Sequence, residues 1–349
     1  MLFFSHFRNM LKIGFFLVAL FVSFSVVAIG KKGNGMDSIR VLAKPIAVSD
    51  ESASRMHKVT FTDPQTGKNH TILVDSGLFE LGWDRLPQVS FWKSLMNIKA
   101  DSSLISVQGS REILQCVPTR QWNSKPTLER EYLRDSLKRN LGFSPETRIL
   151  QTEGRSGYYL VDEVLDHITK SIEVFEENGV DPFYAQAILL IESPGRLSGR
   201  SPVGAYGPFQ LMPYVGKQYG LRVGGANDER ANLERSAYAA SMLIKKICVP
   251  MTEKMLQNRM ICYSTDELWF KMLVMHTYHA GAGNVMAALN QLQPKEGGMD
   301  LIKQLWQTEA GGFRNASQNY SQIALAANIR LAEEIRKKLG IVAIPAAGL

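Results

Sequence analysis

Hydrophobic and polar positions divide this chain into stretches of different texture. Ile13 to Ile29 is a nearly unbroken apolar run, preceded by Arg8 and Lys12. Residues 31–57 are polar and weakly patterned, as a linker would be. From Lys58 the pattern becomes β-like. Val59-Thr60-Phe61-Thr62 and His70-Thr71-Ile72-Leu73-Val74 are separated by Asp63-Pro64 and Thr66-Gly67, which predicts a hairpin. Leu104-Ile105-Ser106-Val107 and Ile113-Leu114-Gln115-Cys116-Val117 are further short runs of this kind. Residues 58–150 therefore predict a small accessory module of α+β character, without a motif whose chemistry can be read.

Over residues 156–340 the period lengthens. Val161, Val164, Leu165, Ile168, Ile172 and Phe175 recur at three- and four-residue steps, one apolar face of a long helix that Gly179 ends. Asp181-Pro182 opens another helix, with Asp as N-cap and Pro at the first helical position. Helices are expected at 231–247, 266–278, 284–293 and 318–339, the last closed by Gly340. The fold class is mainly α, preceded by the α+β module.

Composition adds a few limits. A chain of 349 residues, 45% hydrophobic and 21% charged, can build one large or two ordinary globular domains. The net charge of +7 suits an anionic polymer or surface, but no concentrated basic stripe predicts nucleic acid as a partner. Residues 1–30 have two readings. They form an export signal with small residues at Ala28-Ile29-Gly30, or an uncleaved membrane anchor through residues 13–30. Both place the remainder outside the cytoplasm. Cys248 and Cys262 either close a disulfide loop or, with Cys116, are thiols. No His/Cys cluster has metal-ligand spacing, so neither a metal nor another cofactor is expected.

One carboxylate stands out. The helix opened by Asp181 runs through Ala185-Gln186-Ala187-Ile188-Leu189-Leu190-Ile191 to Glu192-Ser193-Pro194. Ile188 and Leu189, four and three residues back, share a face with Glu192. Pro194 makes this the final turn, where the helix dipole disfavours an anion. Desolvation and dipole both raise the pKa, as a general acid for glycosidic oxygen requires. Taken alone, such a residue also fits a solvent-facing helix end paired with Arg196.

Two later segments share its neighbourhood in sequence. Ser201-Pro202-Val203-Gly204-Ala205-Tyr206-Gly207-Pro208-Phe209-Gln210-Leu211-Met212-Pro213 sets glycines around small and aromatic residues, then a Gln with both donors and acceptors. Thr277-Tyr278-His279-Ala280-Gly281-Ala282-Gly283-Asn284 ends one helix and starts the next, with Asn284 expected as N-cap.

These residues resemble the lytic transglycosylases with a soluble-type (SLT) domain, in the glycoside hydrolase family that also holds goose-type lysozymes. Glu192-Ser193 matches the family's Glu-Ser pair, and Ser201 to Pro213 matches its fixed positions. Tyr278, Ala280 and Gly281 match a third segment, and Asn319-Tyr320 a late helical pair. Thr277 and His279 stand where the family usually has Ala and Asn. The resemblance implies a lysozyme-like SLT catalytic domain over 156–340 and peptidoglycan glycan strands as partner. It implies cleavage of the MurNAc-GlcNAc β-1,4 bond with 1,6-anhydro-MurNAc ends, and Glu192 as the sole acid/base. Ser201, Gln210, Met212, Tyr278, His279 and Tyr320 would contact substrate or orient Glu192. A muramidase using water and an inactive wall-binding protein are the alternatives. The expected location is the periplasm or cell envelope.

Overall fold

β2 (Met56–Thr62) and β3 (Asn69–Asp75) pair antiparallel across the predicted turn. Asp63 builds that turn. Its Oδ1 accepts from the amides of Gln65 (2.7 Å) and Thr66 (3.1 Å), and Gly67 takes the left-handed conformation at φ +69°. β1 (Leu42–Pro45) pairs with the other side of β2, giving the order β1-β2-β3. It falls inside the stretch that reads as linker, and four residues are too few to display a period. The computed structural model describes residues 42–45, 55–155, 159–194, 197 and 199–341. The expected export signal or anchor and the rest of the linker lie outside them. Among the described residues no helix is long and apolar enough to cross a membrane.

Two short helices follow, α1 (Gly77–Glu80) and α2 (Pro87–Asn97). A second antiparallel sheet has the order β5-β4-β6, from β4 (Ser102–Val107), β5 (Ile113–Pro118) and β6 (Ile149–Glu153). Between β5 and β6 come α3 (Thr119–Asn123) and α4 (Thr127–Asn140). The accessory stretch serves two cores. Phe61, Ile72, Leu73, Trp83 and Val89 join the core of the helical half, whereas Ile105, Trp122 and Ile149 gather a small cluster of their own.

The helical half makes the molecule mainly α. α5 (Val161–Glu177) buries Val164, Leu165, Ile168, Ile172 and Phe175, as its period predicts. α6 (Phe183–Glu192) is buried along nearly its whole length. Asp181 Oδ1 accepts from the Phe183 amide (2.8 Å), so the expected cap is made. After α7 (Pro213–Gln218) comes α8 (Leu233–Leu243), capped by Asn232. α8 passes through a π-helical turn at Ile244–Cys248 into α9 (Val249–Gln257), so the expected 231–247 helix runs further than its pattern suggests. α10 (Leu268–Ala280), α11 (Ala282–Leu292), α12 (Met299–Leu305) and α13 (Asn315–Lys338) complete the order. Cys116, Cys248 and Cys262 are free, with Cys248 buried.

A buried amide joins the first sheet to the helices. Gln186 is fully buried in α6; its Oε1 accepts from the Leu73 amide and its Nε2 donates to the Leu73 carbonyl, both at 2.8 Å. The side chain thus satisfies the edge of β3 as a neighbouring strand would. Nε2 also donates to Asn328 Oδ1 (2.7 Å) in α13. Midway along α2, the Trp92 indole donates to Gln322 Oε1 (3.0 Å), fastening α2 along α13.

Candidate active site

Glu192 is the last residue of α6, and the chain leaves the helix at Ser193. Part of its surface remains open, while burial desolvates the carboxyl. Desolvation raises its pKa to about 7, against a smaller lowering by the Tyr320 hydroxyl. No charged neighbour contributes among the described residues. Arg196, the pairing partner under the bland alternative, lies outside them.

The segment after Glu192 is tied to the next loop by Ser193. Its buried hydroxyl donates to the Pro208 carbonyl (3.0 Å). The loop doubles back at Tyr206, whose amide and carbonyl both bond Leu211 at 3.1 Å. Ser201 does not reach Glu192 by any hydrogen bond. Its Oγ accepts from the Ala205 amide (2.9 Å) and shapes the turn. Gln210 takes φ +46°, and its Nε2 donates to the Gly199 (2.8 Å) and Gly207 (2.9 Å) carbonyls. That NH2 group is spent on the loop rather than held open. Met212 is half-buried against the core where α7 begins.

Two charged residues that the motifs do not point to hold this loop in place. Arg230 is buried and forks onto Asp228, Nε to Oδ1 at 3.0 Å and Nη2 to Oδ2 at 2.7 Å. Its Nη1 donates to the carbonyls of Gly204 (2.9 Å) and Leu211 (2.8 Å), bracketing the loop. Hydrogen bonds from Arg230 hold the Asp228 pKa down at about 2. Gly207 explains itself here. At φ +82°, a Cβ would stand 1.8 Å from the Arg230 carbonyl oxygen, so only glycine admits this approach.

α10 and α13 bring up the aromatic groups. The Tyr278 hydroxyl donates to the Phe209 carbonyl (2.7 Å), linking the end of α10 to the same loop. The His279 ring stacks on Tyr320, centroids 4.3 Å apart and planes 20° from parallel. The outer side of His279 is exposed, yet the protein packed around it lowers its pKa, keeping the ring neutral at neutral pH. Tyr320 itself is buried, and its hydroxyl meets no described group with hydrogen-bond geometry although it acts on the Glu192 carboxyl. Behind these residues Trp306 Nε1 donates to Ser321 Oγ (2.8 Å), leaving that hydroxyl to donate to His276 Nε2 (2.8 Å). His276 is therefore a neutral packing residue, its pKa pushed down to about 3 chiefly by burial.

Asn284 corrects one expectation. Gly281, at φ +79°, is the residue that enters α11, and Asn284 lies inside its first turn. The Asn284 Nδ2 donates to the Ala280 carbonyl (2.8 Å) and its Oδ1 accepts from the Gly312 amide (3.0 Å), fixing the loop that leads into α13. A glycine preceding a small-residue helix start is as good an entry as a capping side chain, so the sequence alone does not choose between them.

The structure thus brings Glu192, Tyr278, His279 and Tyr320 to one place, and gives Ser201 and Gln210 to the loop that frames it. A cavity of about 500 Å³, lined by Arg55, Trp83, Trp269 and Gly297 among others, lies elsewhere. It opens at the first turn of α10, whereas Tyr278 occupies the last. Among the described residues no group of three or more His, Cys, Asp or Glu is placed to hold a metal ion.

A single carboxyl with a raised pKa thus stands at a helix end, under a clamped loop and beside two tyrosines. Residues 171–298 match the family model described as the transglycosylase SLT domain, and the chain carries that domain. The match takes in Glu192, the 201–213 loop and Tyr278-His279, and ends before Tyr320. Such a domain implies an enzyme that cleaves glycosidic bonds, of transglycosylase or lysozyme-like kind, with peptidoglycan as substrate. No curated protein matches the chain.

Proposed function

We propose that this protein is a lytic murein transglycosylase, which cleaves the MurNAc-GlcNAc β-1,4 bond without water and leaves 1,6-anhydro-MurNAc ends. The observation that carries this is the state of Glu192. Its pKa of about 7 leaves a large protonated fraction near neutrality, and no second carboxylate perturbs it among the described residues. A two-carboxylate mechanism needs a partner acid at a set separation. One carboxyl is enough when the substrate supplies the nucleophile.

Glu192 donates its proton to the glycosidic oxygen as the bond to the muramoyl anomeric carbon breaks, and the muramoyl N-acetyl group stabilises the developing cation. The Glu192 carboxylate then takes the proton of the muramoyl C6 hydroxyl. That oxygen attacks the anomeric carbon, closing the anhydro ring and restoring the acid. The attack is intramolecular, so proximity replaces a bimolecular encounter.

Tyr320, whose hydroxyl acts on the Glu192 carboxyl, and Tyr278 serve the N-acetyl group and Glu192. His279 supplies a neutral ring edge where the family's Asn would stand. Gln210, Ser201 and Met212 act by holding the loop wall. The apolar run at 13–29 supports export to the periplasm or cell envelope.

Mass spectrometry of sacculi digested by the protein tests this. Anhydro ends are expected. Products heavier by one water would instead identify a lysozyme-type hydrolase, and intact sacculi would identify a wall-binding protein.

A further inference from the structure

Arg111 sits in the turn between β4 and β5, and its placement is unusual in three respects. Its backbone is left-handed at φ +58°, a conformation that glycine or asparagine adopts more readily. An arginine kept there points to a need for the side chain. The guanidinium is partly buried, lying 5.0 Å from the centroid of the Phe91 ring and 5.7 Å from that of Trp92, both on α2. It also has no acid. No Asp or Glu among the described residues forms an ion pair with it, and burial alone lowers its pKa.

One of its N–H groups has a described partner. Nη2 donates to Asn319 Oδ1 at 3.2 Å, and Asn319 in turn donates to Asn315 Oδ1 at 2.9 Å. Asn319 adjoins Tyr320, whose hydroxyl acts on the Glu192 carboxyl. The accessory sheet thus sends one cation to α13, at the residue before Tyr320. α2 braces it there through Trp92 and Gln322. An arginine has five N–H donors in a planar fork suited to carboxylate, and leaving it half-desolvated without an anion is costly.

We propose that Arg111 is a substrate-binding residue that takes a carboxylate of the peptidoglycan strand beside the Glu192 site, so that the accessory module selects strands bearing free acid groups. This rests on the glycan cleavage proposed above. Two carboxylates of the strand share the required chemistry: those of the peptide stem, and the lactyl carboxylate that is exposed when the stem is removed.

The test compares the full-length protein with its Arg111→Ala and Arg111→Lys variants on three soluble glycan strands. These are peptide-bearing strands, the same strands with their carboxylates amidated, and strands stripped of peptide. Arg111→Ala is expected to raise KM at least tenfold, with kcat within about twofold, on peptide-bearing or on stripped strands, whichever carries the bound carboxylate, and to leave amidated strands unaffected. Arg111→Lys should recover part of the loss, because it keeps the charge but not the fork. A KM effect of Arg111→Ala on stripped strands assigns the lactyl carboxylate, and its absence there assigns the peptide stem. Equal losses on native and amidated strands, or no loss on any of the three strands, would overturn the proposal while leaving glycan cleavage standing. Failure of the unaltered protein to cleave any of the three would overturn both.

Discussion

Glu192 and Asp228 are two carboxylates of the helical half, and their environments drive them in opposite directions. Asp228 receives a two-pronged Arg230 and the amides of Gly224 and Arg230, so its charge is matched and its pKa falls to about 2. Glu192 is desolvated by burial and meets one tyrosine, and its pKa rises to about 7. The first is built to stay ionised and hold the backbone around Gly204 and Leu211. The second is built to keep a proton until something takes it. Burial by itself decides neither; the donors supplied with the burial do.

Substitution of Glu192 is the sharpest way to break this contrast. Glu192→Gln removes the transferable proton but keeps the shape, and should lower release of glycan fragments from sacculi by at least about a thousandfold. Its circular dichroism and melting transition should remain those of a folded protein. Undiminished release of anhydro products by the variant would end Glu192's assignment as the acid.

Next in size is the loop clamp. Asp228→Asn leaves the Arg230 guanidinium buried without its counter-charge, and should cost about 3–5 kcal/mol in urea unfolding. A loss below about 1 kcal/mol, the range of exposed ion pairs, would show that Arg230 does not depend on Asp228.

The two carboxylates also predict opposite responses to pH. Glu192 has a folded pKa above its ordinary 4.5, so the native state binds the proton more tightly. The stability this confers is present below about pH 4.5 and is lost as pH rises through about 7. Relative to Glu192→Gln, the unaltered protein should lose on the order of 2–3 kcal/mol across that interval, the lower figure allowing for the part of the carboxyl that meets water. Asp228 has a depressed pKa, so its contribution is present above about pH 4 and is lost as pH falls toward 2. A difference between the two proteins that stays flat from pH 4 to 8 would contradict the raised pKa.

The smallest expected effect belongs to Tyr320→Phe. The hydroxyl lowers the Glu192 pKa, so its removal should move the alkaline limb of the cleavage profile upward while changing the maximal rate only a few-fold. Stability should fall by about 1 kcal/mol, as the loss of one hydrogen bond does. A limb that moves downward would reverse the role given to Tyr320.

Periodicity was enough to place α5 and the β2–β3 hairpin, because burying one face of a helix or strand leaves a regular trace along the chain, while Asp181-Pro182 and an apolar run marked α6. It also singled out Glu192, since a charged residue closing an apolar helix breaks that trace. Other features left no such mark. Gln186 looks like a polar interruption in a buried helix until Leu73 is seen at its amide. Asp228 and Arg230 look like surface charges, and Arg111 like a turn residue. Ser201 and Gln210 carry the right chemistry for a substrate, yet loop amides and carbonyls engage them first.

What the chain determines by itself is local: which faces are apolar, roughly which stretches are helical, and that one carboxyl closes an apolar helix. Which distant partner satisfies each buried polar group was decided only by the tertiary structure. Arg230 finds Gly204 and Leu211, Tyr278 finds Phe209, and Arg111 finds Asn319 across 208 residues of sequence. Hydrogen bonds and desolvation act over a few ångströms in space, and separation along the chain says nothing of that distance until the core has closed.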